Sequence, residues 1–162
     1  AAPLDLDLSV AASRPAPDLA TPYDADGGEL RGGWSAYGHS GVITTPSELV
    51  RWGDVYRTGN ISPHDEVLND PVLDAAAVLD DDGAPPGELY GAGIRLEPTG
   101  DLYHSGRWGG FISDFTVTAD RQTVIAVSCN GRDAPRFELA DALRKIWAPT
   151  AAAPHRSQLD PD

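Results

Sequence analysis

Between Leu89 and Asn130 the chain passes through apolar stretches that alternate with polar residues or run in β-branched blocks, joined by short polar connections. Few folds accommodate such a run, because period-two stretches linked by four-residue turns form neighbouring antiparallel strands. The spacing predicts strands over Tyr90–Glu97, Phe111–Thr118 and Thr123–Cys129, with Leu102–Ser105 extending the first hairpin. Pro98-Thr99-Gly100-Asp101 and Ala119-Asp120-Arg121-Gln122 carry the residues that turns require. The last strand, Val124-Ile125-Ala126-Val127-Ser128-Cys129, is apolar at nearly every residue. It therefore expects cover on both faces and neighbours on both edges.

Helices are expected on either side of this sheet. Upstream, Thr45 is a good N-cap, Pro46 suits the first helical position and Glu48 stands where a capping box requires it. Leu49, Val50, Trp52, Gly53 and Tyr56 give that helix an apolar face, and Gly59 ends it near Thr58. Downstream, Gly131-Arg132-Asp133 makes a turn, and Ala134–Trp147 reads as an amphipathic helix. Its apolar face is Phe137, Leu139, Ala140, Leu143, Ile146 and Trp147, and Pro149 stops it. A modest helix is expected over Pro71–Leu79, inside an acidic, proline-broken stretch.

The fold class is thus α+β: an antiparallel sheet of about three strands with a C-terminal helix and an upstream helix. Residues 1–33 read as an extended, loop-rich lead-in, 34–148 as the folded domain and 149–162 as a disordered tail. Within the lead-in, Tyr23-Asp24-Ala25-Asp26-Gly27-Gly28 is a turn, with aspartate side chains bonding nearby backbone. Asp24, Asp26 and Glu29 lack the twelve-residue spacing of a calcium loop, and no other metal or cofactor is called for.

Charge narrows the partners. A formal net charge of −13 argues against nucleic acid or an anionic membrane surface, both of which would repel the chain. No apolar run is long enough to span a bilayer. The single cysteine, Cys129, sits in the most apolar strand and reads as a small buried hydrophobe; it leaves the redox compartment open. The opening residues Ala1-Ala2-Pro3-Leu4 have neither the basic start nor the apolar core of a signal peptide and no methionine. They are expected of a chain cut from something longer.

At the centre of the sheet region stands the octet His104-Ser105-Gly106-Arg107-Trp108-Gly109-Gly110-Phe111. Two readings are open. The glycines can mark a bulge or corner, with His104 and Ser105 as ordinary strand residues. Alternatively they clear room for a ligand along the strand, whose N–H groups face it while His104 and Ser105 offer a titratable group and a hydroxyl.

The octet, the strand after it and the C-terminal helix resemble the last third of the serine β-lactamase and penicillin-binding-protein superfamily, in the branch of class C β-lactamases, D-alanyl-D-alanine carboxypeptidases and esterases. That branch carries a Lys/His-Thr/Ser-Gly triplet on a strand lining the active site, commonly followed two residues later by Gly-Gly-Phe. His104-Ser105-Gly106 and Gly109-Gly110-Phe111 match both halves at that offset. Gly38-His39-Ser40-Gly41 and the helix start after it are similar to the glycine-rich loop and helix that precede this sheet in the family.

The resemblance implies acyl transfer on a small acyl or peptidic substrate, without a cofactor. It implies that the Arg107 N–H supplies half of an oxyanion hole, that His104 lends positive charge or a hydrogen bond near the nucleophile, and that Ser105 bonds the substrate's carboxylate or carbonyl. Gly106, Gly109 and Gly110 would let the strand approach the acyl chain, Trp108 could stack on an apolar group, and His39 is a minor candidate for contact with the site. The family's nucleophile, in Ser-x-x-Lys, is absent: no serine has lysine three places on, and the only lysine, Lys145, has Ala142 at that offset. No Tyr-x-Asn occurs either. The fold is therefore expected to be incomplete relative to the family. The chain alone is expected to be inactive and to expose an unpaired strand edge and apolar surface, with a separate N-terminal segment carrying the nucleophile. Three readings follow: a portion of a serine hydrolase, a non-catalytic binding module, or a truncated reading frame.

Overall fold

In the computed structural model the structure describes residues 5–7, 9–10, 18–30, 40–58, 89–91 and 93–149. Strand β1 (Ser9–Val10) pairs antiparallel with β2 (Val42–Ile43). Helices α1 (Pro46–Trp52) and α2 (Asp54–Thr58) follow. The main sheet comprises β3 (Leu89–Gly91), β4 (Ile94–Leu96), β5 (Leu102–Trp108), β6 (Phe111–Val117) and β7 (Val124–Cys129), and α3 (Arg136–Trp147) closes the described chain.

The sheet is an antiparallel meander in the order β3-β4-β5-β6-β7. It has five strands where about three were expected. The predicted strand Tyr90–Glu97 is a hairpin of two strands, turning at Gly93, whose φ is +75°. The segment Leu102–Ser105 belongs to a full strand that runs on to Trp108. The expected turns are present: Glu97 N donates to the Asp101 carbonyl at 2.9 Å, and Thr118 N to the Thr123 carbonyl at 3.0 Å.

Strand β7 is buried from both sides, as its continuous apolar run requires. Val124 and Ala126 join the larger core, in which Val55 and Tyr56 of α2 pack with Ile94, Leu102, Phe115 and Val117, and Leu49 and Trp52 of α1 pack against it. Ile125 and Val127 face the other way and meet Ala140 of α3.

The upstream helix begins where its sequence directs, with the Thr45 hydroxyl accepting from Glu48 N at 3.2 Å. The capping box is not closed. The Glu48 carboxylate instead accepts from Asp7 N at 3.1 Å and pairs with Arg51, so it ties the lead-in to the helix. One helix to Thr58 was expected, and two are found, interrupted at Gly53. Gly53 lies so close to β7 that a Cβ there would come within 2.6 Å of both methyls of Val124.

The C-terminal helix corrects the amphipathic reading. Its buried residues are Arg136, Ala140 and Arg144, while Leu139 (44%), Leu143 (36%), Ile146 (67%) and Trp147 (71%) keep these fractions of their surface exposed. An electrostatic requirement accounts for the rotation. Asp101, in the turn between β4 and β5, is buried, and its carboxylate lies 2.5 Å from the Arg144 guanidinium, itself buried. A buried carboxylate needs such a partner. Presenting Arg144 turns the ridge 136–140–144 toward the sheet, and the aliphatic stripe faces outward. The expected helix over Pro71–Leu79 and the tail after Pro149 lie outside the described residues.

Candidate active site

The two ends of the sheet differ in chemistry. At one end the β4–β5 and β6–β7 turns are locked together: Asp101 Oδ1 accepts from Ala119 N at 2.8 Å, and the Arg121 guanidinium donates to the carbonyls of Gly100 and Thr118. At the other end lies the octet. Trp108 pairs with Phe111, and between them Gly109 (φ +55°) and Gly110 (φ +85°) form a two-residue hairpin turn, for which two positive φ angles in succession suit glycine. Gly110 has a second constraint. A Cβ there would come within 2.7 Å of Leu30 Cδ1 and 2.9 Å of Pro22 Cβ, because residues 21–30 dock against the turn.

That docking is held by backbone. Tyr23 N donates to the Asn130 carbonyl at 2.7 Å, Arg132 N to the Tyr23 carbonyl at 3.1 Å, and Asn130 Nδ2 to the Thr21 carbonyl at 2.8 Å. The loop itself is closed by Asp24, whose Oδ1 accepts from Asp26 N and Gly28 N, the turn expected from its aspartates and glycines. Neither this docking nor its proximity to Gly110 has a signal in the sequence, since it joins segments about a hundred residues apart.

The register decides what the octet presents. Strand β4 pairs with β5 only at Leu102 and Tyr103. From His104 to Trp108 the same edge of β5 has no strand partner among the described residues. In a two-residue hairpin the pair flanking the turn exchanges both ladder hydrogen bonds, and bonded and non-bonded pairs then alternate. Trp108, Gly106 and His104 thus point their backbone groups at β6, whereas Arg107 and Ser105 point theirs at the uncovered edge. The polar octet is therefore a hairpin corner, the first of the two sequence readings, and its β5 arm runs beyond the end of β4 among the described residues.

Side chains around this edge vary in exposure. Gly106 faces Ser113, whose Oγ would lie 2.7 Å from any Cβ at that position. Ser105 lies across from the fully buried Asp114, whose Oδ2 accepts from Thr116 Oγ1 at 3.4 Å. Arg107 is exposed, and Trp108 keeps 44% of its surface in solvent. His104 is half-buried, with Nε2 3.4 Å from the Tyr90 hydroxyl. Burial lowers the His104 pKa, the backbone of Ser105 opposes the shift, and the charge of Arg95 adds to the lowering. The shift favours the neutral ring, which offers a hydrogen bond in place of a positive charge. Tyr90, Arg95 and Tyr103 around it were not singled out from sequence, since β4 lies between β3 and β5 and their contact needs the register. His39 lies outside the described residues.

Among the described residues no group of three or more histidine, cysteine, aspartate or glutamate side chains could hold a metal ion, and no helix is long and apolar enough to cross a membrane. No curated protein matches the chain. The family model described as Beta-lactamase matches residues 4–146, a span that takes in both small strands, the sheet, the open β5 edge and nearly all of α3. On that match, the chain belongs to the beta-lactamase family, a family of serine hydrolase type.

Proposed function

We propose that this chain is the C-terminal portion of a β-lactamase-like serine hydrolase of the carboxypeptidase and esterase branch, which transfers acyl groups from a β-lactam, a D-alanyl peptide or an ester. The stretch of β5 from His104 to Trp108, which has no strand partner on this edge among the described residues, carries this reading. An acyl substrate laid along it meets the backbone N–H of Arg107, half of an oxyanion hole whose other half is the N–H of the nucleophile. Ser105 bonds the substrate's carboxylate or carbonyl, Gly106 keeps the strand low beside it, and Trp108 packs on an apolar group of the acyl chain. Gly109 and Gly110 shape the corner of the same wall. His104 contributes as a neutral hydrogen-bonding group, which suits peptidase or esterase chemistry.

The nucleophile and its base come from an N-terminal segment carrying Ser-x-x-Lys, which this sequence lacks. Two surfaces support a partner of that kind. Among the described residues strand β7 ends the sheet with an apolar, uncharged run, and Leu139, Leu143, Ile146 and Trp147 line the outward side of α3. A sheet edge and an apolar stripe of this size are surfaces that proteins ordinarily cover.

Reconstitution tests the proposal. The chain by itself should not hydrolyse a chromogenic ester, and co-expression with the polypeptide encoded immediately upstream should produce turnover and a covalent fluorophosphonate adduct. Ile146→Glu with Trp147→Glu should abolish that gain while leaving the chain folded. Turnover by the isolated chain would refute the missing nucleophile. A complex that binds penicillin without acylation would instead make this a binding module.

A further inference from the structure

The sequence gives Tyr90 no role, and its nearest motif, Tyr-x-Asn, is not met because Ala92 stands at that offset. In the fold, however, Tyr90 on β3 reaches past β4 to the histidine of the octet. Its hydroxyl stands 3.4 Å from His104 Nε2, and the two rings lie 6.1 Å apart between centroids at a tilt of 48°. The phenol ring has a second neighbour. The Arg95 guanidinium lies over the Tyr90 ring at 5.5 Å and over the Tyr103 ring at 6.0 Å, so one cation packs on two aromatic faces.

We infer that Tyr90 is a positioning residue for His104, its hydroxyl donating to Nε2 and holding the imidazole as the Nδ1–H tautomer beside the open edge of β5. The direction of donation follows from what each group has to offer. A phenol keeps its proton at neutral pH and can donate it. A neutral imidazole has one N–H and one bare nitrogen, and the nitrogen that faces the hydroxyl is Nε2. With Nε2 accepting from the tyrosine, the ring's own proton lies on Nδ1. Arg95 adds a charge that disfavours a second proton.

For the acyl-transfer site proposed above, on which the functional side of this inference rests, the consequence concerns the shape and charge of the pocket wall. His104 is held in one orientation as a neutral group, and of the octet's side chains only the Arg107 guanidinium brings positive charge to that wall. Protonating His104 would require the Tyr90 hydroxyl to turn from donor to acceptor. This follows from the rule that a histidine's tautomer is set by the hydrogen bond its other nitrogen makes.

Long-range proton–nitrogen NMR spectra of the full chain with 15N-labelled histidine read the tautomer directly, with His104→Gln identifying the resonances. In the unaltered chain the neutral ring should show a protonated Nδ1 and a bare Nε2. Tyr90→Phe, which removes only the hydroxyl, should move the Nε2 resonance toward that of an unbonded ring and give mixed tautomers, with the amide spectrum of β5–β7 preserved. An Nε2–H tautomer in the unaltered chain would overturn the inference without recourse to any variant. So would a His104 spectrum unchanged by Tyr90→Phe. Neither readout depends on turnover, so a failure to reconstitute hydrolysis would count against the proposed function and leave the tautomer result standing.

Discussion

Replacing Asp101 with asparagine tests why the C-terminal helix faces the way it does. Asp101 and Arg144 are both deeply buried, with side-chain exposures of 1% and 4%, and the charged groups lie 2.5 Å apart. Asparagine keeps an oxygen for Ala119 N, which Asp101 Oδ1 accepts at 2.8 Å, so the substitution removes the charge and little else. Arg144 then keeps its buried charge and loses the carboxylate of this pair. Breaking one side of a buried pair costs about 3–5 kcal/mol. That is a large part of the roughly 5–15 kcal/mol by which a domain is stable. In urea the midpoint should fall by about 1–5 M, given a slope of roughly 1–3 kcal/mol per molar.

The double variant completes the cycle. Arg144→Met removes the buried cation and fills much of its volume, so Asp101→Asn with Arg144→Met should recover most of the loss. The coupling energy should be about 2 kcal/mol or more, which is expected of groups in direct contact. Equilibrium denaturation followed by tryptophan fluorescence and by circular dichroism measures all four corners. A cost below about 1 kcal/mol for Asp101→Asn, in the range of a solvated surface pair, would show that the pair does not orient α3.

Two further outcomes follow from the site end of the sheet. Gly110→Ala should destabilise the chain by about 1–3 kcal/mol, since it forces a side chain to positive φ and into Leu30 and Pro22; differential scanning calorimetry should show a lower Tm, and an unchanged Tm would mean that residues 21–30 do not dock on the turn. The depressed His104 pKa makes stability pH-dependent: the unfolded chain takes up a proton near the ordinary value of 6.5 while the folded ring resists it, so His104 stabilises the fold above that pH and the contribution is lost as pH falls through the lower folded value. Denaturation midpoints of His104→Gln should therefore lose part of the acid-side decline seen in the unaltered chain, and parallel pH profiles would refute the assignment.

Much of the architecture was legible in local chemistry. Turns such as Pro98–Asp101 and Asp24–Gly28 form where aspartate and glycine sit, because their side chains and φ preferences act within a few residues. The Thr45 cap, the two-sided burial of Val124–Cys129 and the α+β class are of the same kind, set by short-range hydrogen bonds and by the period of apolar residues. The octet's glycines likewise announced a corner, and the motif around them pointed to the family that the match over residues 4–146 bears out.

Other features depended on segments far apart in the chain, and for these the tertiary structure decided. The apolar stripe of α3 looked like its buried face until the need to neutralise Asp101 turned Arg144 inward and left Leu139, Ile146 and Trp147 outside. Capping chemistry placed Glu48 opposite Thr45, but the competing donor was Asp7 N, forty-one residues away. The lowered pKa of His104 arises from burial and from Arg95, on strands whose register no periodicity specifies. Whether an edge of β5 lies open depends on how far β4 extends alongside it. Apolar period reports which residues prefer to leave water; it carries no information about which buried charge must find its partner, and that pairing oriented the last helix.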